Sequence, residues 1–174
     1  MAAFKLAPVL ATGCTTVLKP AENTPLTALK LGEILLESGA PEGVVNILPG
    51  FGHDAGSAIV NHPDISKIAF TGSTATGKQI MREASNTVKR VGLELGGKSP
   101  NIILDDANLE VALAQSHTAC FLNSGQFCMA GSRVFVQEGI YDEFVSGAVE
   151  MARNKKIGGP FEEGVENGPL VSQT

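Results

Sequence analysis

An α/β fold built on parallel strands is what this chain predicts, and three observations carry that expectation. Short apolar runs rich in β-branched residues alternate with longer stretches of helical periodicity. Glycine is abundant, 20 in 174 residues, which suits a fold with a tight turn at almost every strand–helix junction. A hydrophobic content of 43% against 18% charged is that of a packed core and not of a disordered chain.

The elements follow in order. Residues 15–19 read as a short buried strand fed by the turn at Gly13 and Cys14. Thr24 is placed to cap a helix with Pro25 in its first turn; Leu26, Leu29, Leu31, Ile34 and Leu35 would line it and Gly39 would stop it. Residues 44–48 form the next strand, 49–52 (PGFG) a turn and 55–61 a short helix. A strand over 67–70 runs into Thr71 and Gly72 and is followed by a helix over 74–84. Strands are expected at 88–95 and 101–104, a helix at 109–122, a strand at 133–137 and an amphipathic helix at 140–155. The tail, 157–174, is rich in Gly, Pro and Glu and reads as a connection, while Met1 opens inside what should be a packed helix.

Composition excludes several functions. The net charge of −5 is spread without long runs, so neither a nucleic-acid footprint nor a basic membrane face is expected. Cys14, Cys120 and Cys128 make an odd count without framework spacing, which argues against a disulfide scaffold and for a reducing, cytoplasmic compartment. His53, His62 and His117 are scattered and no Cys/His cluster has zinc-ligand spacing, so no metal is expected. Lys5 and the apolar stretch ending at Cys14 faintly imitate a lipoprotein signal, but the stretch is too short and carries Pro8. No segment is long enough to span a bilayer.

Two residues could carry chemistry. Glu94 lies in LELGGKSP (93–100), and Cys128 lies 34 residues later in LNSGQFCMAGSR (122–133). A deprotonated thiol is a strong nucleophile, and a carboxylate in a partly apolar pocket can serve as a general base. Gly96 and Gly97, directly after the glutamate, would let a substrate or cofactor approach the backbone. Judged singly, a glutamate is more often a solvated surface residue and a cysteine a small buried hydrophobe.

A third feature is the loop GSTATGK (72–78) between a strand and a helix. It falls one residue short of the phosphate-binding loop of nucleotide triphosphatases, and IILDD (102–106) could pass for a metal-binding strand. Against that rival, Gln79 stands where a Ser or Thr would hold magnesium. The alternative is a helix N-terminus that offers free N–H groups to a pyrophosphate, with Gly72 allowing close approach and Ser73 donating a hydrogen bond. Lys19 and Glu22 stand three apart just past a strand end, the place where open α/β sheets bind ligands.

Seven segments, in order, carry a resemblance: KLAPVLATGCTTVLKPAENTPLTA (5–28), GVVNILPGFG (43–52), KIAFTGSTATGK (67–78), LELGGKSPNIILDDA (93–107), SGQFCMAGSR (124–133), and IYDEFV (140–145) with GPLVS (168–172). The chain resembles the aldehyde dehydrogenase superfamily along essentially its whole length, and ELGGKSP and GQ-x-C are that family's glutamate and cysteine signatures. The resemblance implies a variant Rossmann-like cofactor domain over residues 1–96 and the first part of an α/β catalytic domain over 97–174. It implies that Cys128 attacks an aldehyde to give a thiohemiacetal, that hydride leaves to a nicotinamide, and that Glu94 activates the water that hydrolyses the resulting thioester. The Cys128 N–H would stabilise the oxyanion, and Phe127 would line the aldehyde tunnel. Lys19, Glu22, Thr71, Gly72, Ser73, Leu95 and Gly96 would hold the cofactor, with Glu22 on the ribose favouring NAD over NADP. Met129 could be core; Cys14 and Cys120 are expected to be buried. The parent would be a homodimer or homotetramer. The family's PWNFP-like motif, whose Asn is the second oxyanion donor, and its later glutamate for the nicotinamide ribose do not fall within these residues. The expectation is therefore a fragment, inactive alone; a non-catalytic truncated product is the second reading.

Overall fold

The computed structural model describes residues 1–173, and the chain divides into two compact units, Met1–Leu95 and Gly96–Thr174. Its elements are helices alternating with parallel strands, an α/β arrangement.

In the first unit, α1 (Ala2–Ala11) leads to β1 (Thr16–Leu18), α2 (Leu26–Glu37) to β2 (Val45–Ile47), α3 (Ser57–Asn61) to β3 (Lys67–Gly72), and α4 (Thr74–Ala84) to β4 (Arg90–Leu95). Strands β1 and β2 pair in parallel, Thr16 opposite Val45, and β3 pairs in parallel with β4, Lys67 opposite Arg90. Each parallel pair needs a crossover, and α2 and the α4 helix supply them. Val60, Ile68, Ile80 and Ala84 form the buried core, with Ile59, Ile65, Phe70, Val91 and Leu93 packed around it. That cluster ties α3 and α4 to one face of the β3–β4 ladder.

In the second unit, β5 (Pro100–Ile103) pairs in parallel with β6 (Arg133–Val136), and the crossover carries α5 (Leu109–Phe121). Helix α6 (Tyr141–Asn154) follows, with Asp142 and Glu143 in its first turn and Arg153 in its last, the charge order that suits the helix dipole. Asn108 caps α5 by accepting from the Val111 N–H at 3.0 Å. Buried Ser116 on α5 accepts from the Asn101 amide of β5 at 2.8 Å.

The strands, all parallel as expected, pair as three two-stranded ladders among the described residues. Several expectations are corrected. Strand β1 is half-buried, with Val17 exposed. Thr24 does not cap α2: its N–H closes a turn on the Ala21 carbonyl, and Pro25 takes the cap position in helical conformation, its carbonyl accepting from Ala28 and Leu29. The inward stripe of α2 is Ala28, Leu31, Gly32 and Leu35, at helical spacing, while Leu26, Leu29 and Ile34 are exposed. Gly39 does end that helix, at φ +87°, and the N–H groups of Gly39 and Ala40 satisfy the Leu36 and Leu35 carbonyls. The helix expected from residue 55 begins earlier as a wide turn over Gly52–Gly56, closed by the Gly56 N–H on the Phe51 carbonyl. Val88 is not a strand residue. It sits in the left-handed region at φ 53°, ψ 36°, where the chain turns from α4 into β4. Cys14 is exposed and Cys120 half-buried, so neither is the enclosed thiol expected. The expected tail ends at Thr174, which lies outside the described residues.

Candidate functional site

The C-terminal ends of β3 and β4 bring together four of the residues singled out from sequence. The parallel register sets Thr71 opposite Glu94 and Gly72 opposite Leu95. In a parallel ladder, residues directly opposite project to the same face, so the Thr71 hydroxyl and the Glu94 carboxylate share a side. Glu94 is exposed. Thr71 Oγ1 is enclosed and has no hydrogen-bond partner. An unsatisfied buried hydroxyl costs about 1–3 kcal/mol, so Thr71 is a locally unfavourable position in the strand.

Ser73 is the N-cap of α4. Its Oγ accepts from the Thr76 N–H at 3.2 Å and lies 2.9 Å from Thr76 Oγ1. With the Thr76 hydroxyl as the donor in that pair, the Ser73 proton remains free for a ligand anion at the helix N-terminus. A Cβ at Gly72 would run into the ring of Phe70 on the same strand. Gly96 faces open space, with nothing within 4 Å of where a Cβ would stand, which leaves its backbone accessible. The Leu95 side chain lies against Gly77 of α4, so only the Leu95 backbone remains for a ligand.

Lys19 and Glu22 follow β1. The Lys19 ammonium donates to the Pro20 carbonyl at 2.7 Å, the Gly50 carbonyl at 3.2 Å and the Glu22 carboxylate at 3.4 Å. The longest of these is the bond a ribose hydroxyl would most readily replace. Glu22's own backbone N–H, and then Lys19, hold its carboxyl below the usual range. Pro20, Ala21, Glu22, Pro25, Pro49, Gly50 and Phe51 line a groove of about 300 Å³ with mostly apolar walls.

One contributor escaped sequence reasoning. Lys5 is the only charged residue of α1. Burial pushes its ammonium down, and the Glu94 carboxylate pulls it back up. A single lysine in the otherwise apolar helix AAFKLAPVLA was the available signal.

In the second unit, Cys128 is exposed in the loop between α5 and β6. Its N–H has no hydrogen-bond partner among the described residues, as an oxyanion donor requires before substrate arrives. Gly97 makes room for this loop: a Cβ on it would stand 3.1 Å from the Cys128 carbonyl oxygen. Phe127 is half-buried and Met129 is exposed, so Met129 is not core. Three consecutive residues ahead of the cysteine, Asn123 at φ 53°, Ser124 at φ 58° and Gly125 at φ 73°, are left-handed. For Ser124 this costs about 1–2 kcal/mol and for Asn123, a residue that tolerates the region, less, so the conformation is held in part by its surroundings.

Comparison with known proteins gives these positions a common origin. The aldehyde dehydrogenase family model matches residues 1–174. An aldehyde dehydrogenase of Enchytraeus buchholzi is 56% identical over the whole of this chain and 35% of its own length. The human mitochondrial aldehyde dehydrogenase is 55% identical over the whole chain and 34% of its own length. Among solved structures, the NAD+ complex of the Bacillus cereus aldehyde dehydrogenase superposes with a TM-score of 0.97 at 55% identity, over 99% of this chain and 35% of that one. The Staphylococcus aureus betaine aldehyde dehydrogenase, also with NAD+, superposes at 0.95 with 42% identity, over 99% of this chain and 34% of that one. The chain thus spans about a third of the length of the relatives it matches. The nucleotide-triphosphatase reading of residues 72–78 falls away, and Gln79 simply braces Glu83 on the surface of α4 at 2.8 Å. With all of its residues accounted for by that one family model, the chain belongs to the aldehyde dehydrogenase family.

Proposed function

We propose that a protein of the relatives' length carrying this segment oxidises an aldehyde to a carboxylic acid, with NAD preferred over NADP. The observation that carries this reading is the register of β3 on β4, which gathers an orphaned hydroxyl, a carboxylate and a helix N-terminus at the ends of two parallel strands. In this reading residues 1–96 belong to the cofactor domain and residues 97–174 to the catalytic domain.

The thiolate of Cys128 adds to the aldehyde carbonyl carbon, and the Cys128 N–H donates to the oxygen that becomes charged. When bound, the nicotinamide cofactor supplies the hydride acceptor. Loss of hydride from the adduct leaves an acyl thioester on Cys128. Glu94 takes a proton from water, the water oxygen attacks the acyl carbon, and the Cys128 thiolate departs. Thr71, Ser73 and the Gly72, Leu95 and Gly96 backbone hold the cofactor, and Lys19 and Glu22 hold its adenosine ribose. The NAD+ complexes of the Bacillus cereus and Staphylococcus aureus relatives support the choice of cofactor. A homodimer or homotetramer is the assembly we assign to the full-length protein, by the same resemblance. Three free cysteines favour a reducing compartment, the cytoplasm, although several relatives are named as mitochondrial. Among the described residues no helix is long and apolar enough to cross a membrane.

The test separates the two steps. In the full-length protein, Cys128→Ser abolishes aldehyde oxidation. Glu94→Gln gives one burst of NADH and then slows by about 10²–10⁴, the share of a general base. Unimpaired steady-state turnover in Cys128→Ser would remove Cys128 from the mechanism.

A further inference from the structure

The segment Asn167–Val171, which lies after the last helix, reaches back to the left-handed turn that precedes Cys128. Asn167 Nδ2 donates to the Phe121 carbonyl, the last of α5, at 3.0 Å. Ser124 Oγ donates to the Gly168 carbonyl at 3.4 Å. The Val171 N–H donates to Gln126 Oε1 at 2.9 Å, while Nε2 of the same amide donates to the Asn123 carbonyl at 3.3 Å. Asn123 closes the turn from its other side, its own amide donating to the Gln126 carbonyl at 3.1 Å. The segment is itself anchored. The Glu166 and Asn167 N–H groups both reach the Lys156 carbonyl, and Lys155 Nζ pairs with the Glu166 carboxylate at 2.6 Å.

Left-handed backbone at two successive non-glycine residues does not persist without support. Here part of the support is internal, Asn123 and Gln126 bonding to each other across the turn, and the rest comes from the distant segment as hydrogen bonds to the turn or to the helix end feeding it. Gln126 is the hinge of the arrangement, because its single amide grips the turn with one end and the distant segment with the other.

We propose that Asn167–Val171 is a positioning strap for Cys128, with Gln126 and Asn167 as its two positioning residues; this rests on the reading of Cys128 as the nucleophile. The strap does no chemistry. It fixes the turn, and the turn fixes where the thiol and its neighbouring N–H point, a matter in which a displacement of about an ångström costs orders of magnitude in rate.

The experiment follows the thiol and the backbone, not turnover. In the full-length protein, hydrogen exchange of the peptide containing residues 122–131 and the alkylation rate of Cys128 are measured, with Cys14 in the other unit as internal reference. Gln126→Met keeps the length of the side chain and removes both bonds. It is expected to speed exchange in that peptide about tenfold and to change Cys128 alkylation about threefold or more, with Cys14 alkylation and helical circular dichroism unmoved. Gln126→Glu keeps the acceptor for the Val171 N–H and should recover much of the wild-type behaviour. Should Gln126→Met fail to fold, Asn167→Leu, which frees the Phe121 carbonyl, decides by the same readouts. Exchange and alkylation within about twofold of wild type overturn the strap, and so does a Gln126→Glu variant as impaired as Gln126→Met. A wrong choice of nucleophile would show elsewhere, as aldehyde oxidation surviving Cys128→Ser in the full-length protein, and would leave these thiol measurements untouched.

Discussion

Glu22 owes its depressed carboxyl first to its own backbone N–H and then to Lys19, so the side chain is ionised throughout the neutral range. A depressed group keeps its charge until pH falls through its folded-state value, below the usual carboxylate range. The charge Glu22 sets against a 2′-phosphate should therefore be constant between about pH 6 and 8 and fall only in acid, while the phosphate's own second ionisation near about pH 6 adds to the repulsion as pH rises. In the full-length protein, Glu22→Ser should narrow the NAD/NADP ratio of kcat/KM by about tenfold, as removal of a like-charge clash would. A ratio that does not move places Glu22 away from the ribose. At this scale the start of the helix after Gly72 and Ser73 was legible because its signal, an apolar strand running into a glycine turn, is local in sequence. Lys5 was not, because its meaning depends on a carboxylate 89 residues away. Thr24 misled for a related reason: Thr-Pro is a helix entry by statistics, and here the Ala21–Thr24 turn claimed its N–H first.

The elements were legible wherever period and caps agreed. Helix α4 spans Thr74–Ala84 as expected because Ser73 starts it cleanly. Strand β4 begins two residues later than expected because Val88 reads as a β-former in sequence while the chain is still leaving α4. There the Lys89 N–H returns to the Ala84 carbonyl, and Val88 is turned left-handed and out into solvent at 89% exposure. A β-branched side chain gains nothing from packing at that exposure, yet it bears the clash of left-handed backbone. Val88→Gly should accordingly raise stability by about 1 kcal/mol, seen as a higher urea midpoint at unchanged slope. A fall in the midpoint would mean that Val88 makes contacts the structure does not contain. The division of the strands into three separate pairs was invisible from sequence, since alternation specifies parallel crossovers but not which ladders join.

For the whole molecule, the chain's share of its relatives' length governs what the 174 residues do by themselves. Large apolar side chains stand open: Phe4 at 79%, Phe161 at 101%, and Ile102 and Phe135 on the β5–β6 ladder. Surface of that kind drives self-association. By resemblance, the second oxyanion donor and the contact to the nicotinamide ribose come from segments not among these residues, and loss of one such donor costs about 10²–10³ in rate. Purified residues 1–174 should therefore sediment as associating species and give no sustained NADH from NAD and a panel of aldehydes. Cys128-dependent NADH production above background would show instead that this length suffices.

The turn ahead of Cys128 has one further consequence, a matter of chirality. Asn123, Ser124 and Gly125 trace, over three residues, a path that mirror-image amino acids take without strain. In a semisynthetic chain, D-alanine at position 124 would lie in its own preferred backbone region, whereas L-alanine there would still carry the clash. Handedness, which ordinarily forbids such replacements, is at this position the reason one would be accepted. A chain of L-residues thus leads into Cys128 through a short passage of left-handed backbone.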